Sequence, residues 1–184
     1  MRNIVAFVGR AGSGKDYQCN KLVEQGYVKV AFADILRELA CTTLNIDYNY
    51  MLQNYDKLKA TELVNGQNFR NILENLGSGI RKYCPQFFAD AVFKKVTSPE
   101  LINYNICISD LRYLNEFYTL QGFNVTNSDT YFKCVFCDYR SNRYQEVNQH
   151  ESAQLSNMLH DSGYVDLQEL TVDDMKLMES KLCK

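Results

Sequence analysis

Ile4-Val5-Ala6-Phe7-Val8-Gly9-Arg10-Ala11-Gly12-Ser13-Gly14-Lys15-Asp16 is the stretch on which the fold turns. Ile4 to Val8 is a continuous β-branched and aromatic run without polar alternation, as in a strand buried on both faces of a parallel sheet, and it reads as the first, central strand. Gly9 ends it. Gly14 opens a short helix with Leu22 and Val23 on one face and Gly26 as its stop. Tyr27 to Phe32 returns to strand character, so strand, loop, helix and strand together have the length of a right-handed crossover. The opening of the chain is α/β.

Between strand and helix, Gly9 to Lys15 matches the phosphate-loop pattern, with Asp16 where Ser or Thr is usual. Glycine-rich backbone lets successive amides turn inward around phosphate oxygens at a helix N-terminus, and Lys15 adds a point charge for β and γ phosphates. Gly9, Arg10, Ala11, Gly12, Ser13, Gly14, Lys15, Asp16 and Tyr17 are thus expected to bind a nucleotide. The blander reading is a glycine turn joining strand to helix, with a lysine exposed by chance. Asp16 removes the hydroxyl that would hold Mg²⁺, and Tyr17 supplies no substitute, so the metal is expected through water or nucleotide oxygens.

Further along, Ala33 to Val96 reads as mainly helical, with Leu36, Leu39 and Ala40 spaced for one face, Ile72, Leu73 and Leu76 for another, and no convincing strand. Such an insert exceeds what a crossover needs, which points to a cover for the ligand cleft. Asn105 to Ser109 is the next core strand, closing on Asp110; Leu114 to Gln121 is a helix stopped by Gly122; Tyr131 to Phe136 is another strand. A polar helical segment containing His150 to His160 follows, then a short strand around Tyr164 to Asp166. Thr171 and Asp174 stand in capping-box spacing at the start of the last helix. The expectation is a five-stranded parallel sheet flanked by helices, in a single domain of 184 residues.

Composition narrows the class. A net charge of −2 gives no general attraction for nucleic acid or acidic membranes, so an anionic ligand must be held locally. The apolar run at the start is too short for a signal sequence, and no segment approaches the roughly 18 apolar residues that span a bilayer. Seven cysteines without a disulfide framework suit reduced thiols in a cytoplasm.

Asp110 ends an apolar strand, where an acidic residue of a nucleotide site holds Mg²⁺; a helix cap or turn residue is the equal alternative. Arg37, Arg70, Arg81, Arg112, Arg140 and Arg143 fall in the insert or near element ends. Phosphoryl transfer between two anions needs several fixed cations, although each arginine alone reads as a solvated surface residue. No nucleophile and base pair stands out, and His150 and His160 are the only imidazoles. An anionic acceptor needs orientation and neutralisation more than a base. Cys134, Cys137 and His150 have three quarters of a zinc-site spacing, but in a strand the two cysteines point to opposite faces, which favours buried thiols.

These residues resemble a family: the bacteriophage-type deoxynucleoside monophosphate kinases, relatives of adenylate kinase and dephospho-coenzyme A kinase. The resemblance rests on Ser13-Gly14-Lys15-Asp16, Phe32-Ala33-Asp34-Ile35-Leu36-Arg37, Asn68-Phe69-Arg70-Asn71-Ile72-Leu73 with Leu76-Gly77, Ile108-Ser109-Asp110-Leu111-Arg112-Tyr113 with Asn115-Glu116, and His150-Glu151-Ser152. Asp at the end of the loop is familiar there. The chain departs from the pattern at Tyr17, where Thr is usual, at Ala153 after Ser152, and at Phe87 or Phe88 in place of a tryptophan.

The resemblance implies a P-loop kinase domain over 1–184, with an acceptor-binding insert at 33–96 and a lid at 138–160. It implies that Asp34, Arg37, Arg70 and Arg81 orient the acceptor monophosphate. Lys15, Arg112, Arg140 and Arg143 would act on the transferring phosphoryl group, with Asp110 on the metal and Glu116 capping or bracing its helix. The expected reaction moves the γ-phosphoryl of ATP, with Mg²⁺, to a nucleoside or deoxynucleoside 5′-monophosphate. Expected partners are small-molecule nucleotides, without nucleic acid or membrane, and a homodimer is left open. The alternatives are a dephospho-coenzyme A kinase with Asp34 as base, or an ATP-dependent binding module. A guanine-specific switch is disfavoured, since no Asn-Lys-x-Asp motif occurs.

Overall fold

The computed structural model of the protein describes residues 1–126, 129–138, 154–164 and 167–182. β1 (Arg2–Val8) runs through the middle of a five-stranded sheet, and its side chains explain that position. Ile4, Ala6 and Val8 enter one apolar layer; Val5 and Phe7 enter the other, with Cys19 and Cys107. A strand buried on both faces suits only a sheet covered on both sides.

The sheet order is β2 (Val28–Val30), β5 (Ile106–Leu111), β1, β6 (Thr130–Phe136), β7 (Glu169–Leu170). The pairs β2–β5, β5–β1 and β1–β6 are parallel. The expectation of five parallel strands is corrected at one edge: β7 runs antiparallel to β6, pairing Leu170 with Cys134 and Glu169 with Val135. The last strand also falls later than Tyr164 to Asp166. Leu167, in a left-handed turn (φ 60°), donates its N–H to Phe136 O at 2.7 Å and so starts a return against β6. The Tyr164 hydroxyl instead donates to Asp174 Oδ1 at 2.6 Å; residues 165 and 166 lie outside the described residues.

α1 (Lys15–Val23) covers one face through Cys19 and Leu22, while Val23, expected beside Leu22, is exposed. On the other face α5 (Phe87–Val96), α6 (Leu114–Gln121), α8 (Gln154–Asp161) and α9 (Val172–Leu182) close over Phe88, Val92, Phe117, Leu159 and Met175. A short α7 (Phe123–Thr126) precedes β6. The expected cap of α9 forms: Asp174 N donates to Thr171 Oγ1 at 3.2 Å and Thr171 N to Asp174 Oδ2 at 2.7 Å.

The long insert has a core of its own. α2 (Phe32–Leu44), α3 (Tyr48–Ala60) and α4 (Phe69–Tyr83) pack around Ala40, Cys41, Met51, Leu58, Phe69 and Leu73. Leu39 is more than a third exposed, since the packed face of α2 runs through Phe32, Leu36 and Ala40. Phe32 begins this helix rather than ending a strand. The insert also contains a strand pair that helical reading misses: β3 (Glu62–Val64) and β4 (Gln67–Asn68) form a hairpin. Its tip, Asn65-Gly66, has φ of 48° and 75°, the turn for which Asn-Gly is the usual sequence.

Candidate functional site

The phosphate-loop stretch leaves the carboxyl end of β1, where β5 lies on one side and β6 on the other. In open α/β sheets this switch of crossover direction opens a crevice for ligands. A Cβ on Gly9 would stand 2.1 Å from the carbonyl oxygen of Cys137 and 2.6 Å from Ser13 Oγ, so only glycine fits between β1 and β6 here. Gly12 (φ 77°) and Gly14 (φ 87°) take left-handed backbone, which turns the loop onto the end of α1. Ala11 and Gly12 form its exposed crest and Ser13 is buried. Gly14 gives α1 no side-chain cap.

Lys15 folds back over the loop. Its Nζ donates to the carbonyl of Gly9 at 2.7 Å and to that of Arg10, and stands 3.3 Å from Ser13 Oγ. Burial pushes its pKa down to about 8, helped by the nearby Arg112 charge and opposed by Cys137, Asp16 and Asp110. Burial would raise the Asp16 carboxyl, but hydrogen bonds from Lys29 (2.7 Å) and from the Ser109 hydroxyl outweigh it and hold the pKa low. Tyr17 is exposed, with the Lys21 ammonium 4.5 Å from its ring centre. Arg10 reaches Asp161 at 3.6 Å.

Asp110 is a helix cap. Its Oδ1 accepts from Phe32 N and its Oδ2 from Ala33 N, both at 2.9 Å, which satisfies the first amides of α2, whose preceding residue Ala31 has no capping side chain. Burial raises its pKa, against the pull of the two amides and Arg112. The fold thus ties the end of β5 to the start of the insert, at the mouth of the loop.

From there a cavity of about 280 Å³ extends between the insert helices. Arg70, Leu73, Glu74, Gly77, Ser78 and Arg81 line it at steps of three, one, three, one and three, which is a single face of α4. Phe32, Ala33, Leu36 and Arg37 contribute from α2, Tyr55 and Lys59 from α3, and Asp110 and Arg112 from the end of β5. Among the described residues, five cationic side chains line the cavity against the three acids Glu74, Asp110 and Glu116. The Arg81 guanidinium carbon lies over the rings of Phe88 (4.4 Å) and Tyr113 (4.3 Å), and its Nη2 is 3.4 Å from Glu116 Oε1. Glu116 Oε2 accepts from the backbone N–H of Arg112 at 2.9 Å and of Tyr113 at 3.2 Å. Burial pushes the Glu116 carboxyl up to about 7, with the Asp110 charge adding, although the two amides and Arg81 pull the other way.

Of the residues singled out from sequence, Arg37, Arg70, Arg81, Arg112 and Asp110 converge on this cavity. Asp34 stands behind it, its Oδ1 accepting from Arg37 at 2.8 Å. Arg140, Arg143 and His150, with most of the expected lid, lie outside the described residues. Tyr55, Lys59, Glu74 and Tyr113 were not anticipated. Tyr55 with Lys59, and Arg70 with Glu74, stand four apart on their helices, a spacing visible in the sequence; Tyr113 meets Arg81 only through the fold.

Cys134 and Cys137 are buried thiols on opposite sides of the sheet, one in each apolar layer. Burial pushes the Cys134 pKa up. Among the described residues, no three of His, Cys, Asp and Glu cluster to hold a metal, and no helix is long and apolar enough to cross a membrane. No protein-family model matches the chain, and comparison with characterised protein sequences returns no match.

Proposed function

We propose that the protein is a nucleotide kinase that transfers the γ-phosphoryl group of ATP to a nucleoside or deoxynucleoside 5′-monophosphate. One observation carries this reading: Val8 pairs with Leu111, so the loop that leaves β1 and Arg112, which lines the cation-rich cavity, follow neighbouring strand ends, and the Arg112 charge helps to lower the Lys15 pKa. ATP phosphates occupy the loop amides and Lys15, and the acceptor's phosphate meets Arg81 and Arg112. The base end of the acceptor lies toward Tyr55, Glu74 and Arg70, the last roughly 16 Å along the α4 axis from Arg81 at 1.5 Å per residue. At about 280 Å³ the cavity lies near the lower end of the size range of small-ligand sites, and its lining is more charged than is usual for them, which suits an anionic ligand.

Catalysis on this reading is positioning and charge. Fixed guanidinium groups offset the repulsion between two phosphates and stabilise negative charge as it spreads in the transition state. Arg140 and Arg143 complete the set from the lid, as the resemblance implies. Mg²⁺, when bound, neutralises charge between the phosphates. Asp110 and Asp16 are oxygen donors of the required hardness; Asp16 is engaged by Lys29 and Ser109 and Asp110 by two amides, which suits contact through water.

A hydroxyl acceptor would need a general base. The candidate, Asp34, is paired with Arg37 behind the cavity, which favours an acceptor that arrives as an anion. The test is ADP release from ATP across all common ribo- and deoxyribonucleoside monophosphates and dephospho-coenzyme A. Stimulation by one or more monophosphates supports the proposal. Stimulation by dephospho-coenzyme A alone, or tight ATP binding with no stimulation, refutes it.

A further inference from the structure

Glu116 is 1% exposed, and burying a carboxylate costs several kcal/mol unless its partners repay it. An apolar side chain would fill the space at lower cost. Glu116 makes three contacts: one to Arg81 and two to the backbone amides of Arg112 and Tyr113.

The Arg81 guanidinium carbon lies 4.4 and 4.3 Å from the ring centres of Phe88 and Tyr113, and a ring face offers no directional acceptor for its N–H groups. Glu116 at Nη2 is the directional partner. Gly77 opens the space over the other terminal nitrogen, for a Cβ there would lie 3.3 Å from Arg81 Nη1. The remaining in-plane donors of the fork are thus aimed, which matters because arginine recognises a phosphate through a fixed planar geometry. The same carboxylate, through its other oxygen, pins the backbone at Arg112, the second cation of the cavity wall.

We propose that Glu116 is the positioning residue of the anion site: one buried carboxylate orients Arg81 and the Arg112 backbone toward the acceptor's phosphate. This rests on the kinase reading for the identity of the acceptor, but not for the existence of the site.

The experiment pairs Glu116→Gln with Arg81→Lys and the double variant. With all assays at pH 8, above the Glu116 pKa of about 7, glutamine keeps an oxygen for the two amides and removes the charge facing Arg81; lysine keeps the charge and removes the fork. Monophosphate binding is measured by calorimetry without ATP, and KM and kcat for both substrates are measured separately, using the acceptor that wild type binds best. Glu116→Gln is expected to weaken monophosphate binding and raise its KM about tenfold, the scale of one charge-assisted hydrogen bond, with the KM for ATP unchanged. The double variant should be no weaker than Arg81→Lys alone, because the two effects run through one group. Monophosphate affinity unchanged in Glu116→Gln overturns the proposal. So do equal losses for ATP and monophosphate with a lowered melting temperature, which mark a merely structural role, and additive effects in the double variant. Wild type that binds monophosphates without transferring phosphoryl refutes the kinase reading and leaves this test intact; wild type that binds none overturns both.

Discussion

Asp110 Oδ1 accepts the backbone N–H of Phe32 at 2.9 Å, and through this contact the end of the strand beside the loop holds the start of the insert. The second oxygen does the same for Ala33. A residue read from sequence as metal ligand or cap is a cap from outside the helix, 78 positions away in the chain. The insert is therefore anchored to β5, the strand beside the one that carries the loop, and a shift of α2 relative to β5 has to break that anchor.

Replacing Asp110 should expose that anchor. Asp110→Ala is expected to cost about 2 kcal/mol and Asp110→Asn about half as much, because the amide keeps one acceptor oxygen for Phe32 or Ala33. Urea denaturation of the two variants checks the order; equal costs would show that the bidentate geometry does not matter.

Gly9→Ala tests the loop. Its methyl would enter the space held by the Cys137 carbonyl, a backbone atom that cannot rotate away. The loop must shift, with a stability loss of about 1–3 kcal/mol and a fall in ATP affinity seen by calorimetry. Wild-type ATP affinity in a folded Gly9→Ala variant would contradict the assigned loop geometry.

Stability should depend on pH through Glu116. Its carboxyl is raised from the ordinary 4.5 to about 7. The folded state therefore holds this proton up to about pH 7, whereas the unfolded chain releases it near 4.5. The stabilisation is complete below 4.5 and is lost as pH rises through 7, on the order of 3 kcal/mol. Burial is the main cause, with the Asp110 charge adding to it; the backbone amides of Arg112 and Tyr113 and the Arg81 charge face the same carboxyl and oppose it. Comparing urea midpoints at pH 5 and pH 8, Glu116→Gln should gain on wild type as pH rises; parallel profiles would refute the assignment.

Lys15 should show function won against stability. Its pKa, about 8 where 10.5 is ordinary, means that the folded state binds the proton less well than the unfolded chain. The deficit is full below pH 8 and disappears as pH approaches 10.5. Lys15→Met is then expected to stabilise the protein at pH 7 by about 1–3 kcal/mol while ATP binding is lost. A variant both weaker in ATP binding and less stable would show that the carbonyl contacts of Lys15 outweigh its desolvation.

Much of this arrangement is legible in the residues. Ile4 to Val8 can only be buried on both faces, the three loop glycines demand a turn without side chains, and Leu114 to Gln121 is bounded where its stop signal Gly122 says. The antiparallel edge was hidden because two residues, Glu169 and Leu170, carry no periodicity. The hairpin was hidden because the helical pattern on both sides outweighed Asn65-Gly66. Within the site, arginines announced themselves by type, but Tyr113 and Phe88 became partners of Arg81 only when α4, α5 and the end of β5 met. Glu116 looked like a helix brace. It is one, and its other oxygen faces Arg81.

The most direct measurement follows the phosphoryl group. Wild-type protein is incubated with ATP labelled in the γ-phosphate, Mg²⁺ and each nucleoside monophosphate, and the products are separated. The account predicts that label moves onto at least one monophosphate to give the labelled diphosphate, and that Lys15→Met and Arg81→Lys reduce this transfer. Label that remains on ATP, or appears only as inorganic phosphate with every monophosphate, would contradict it.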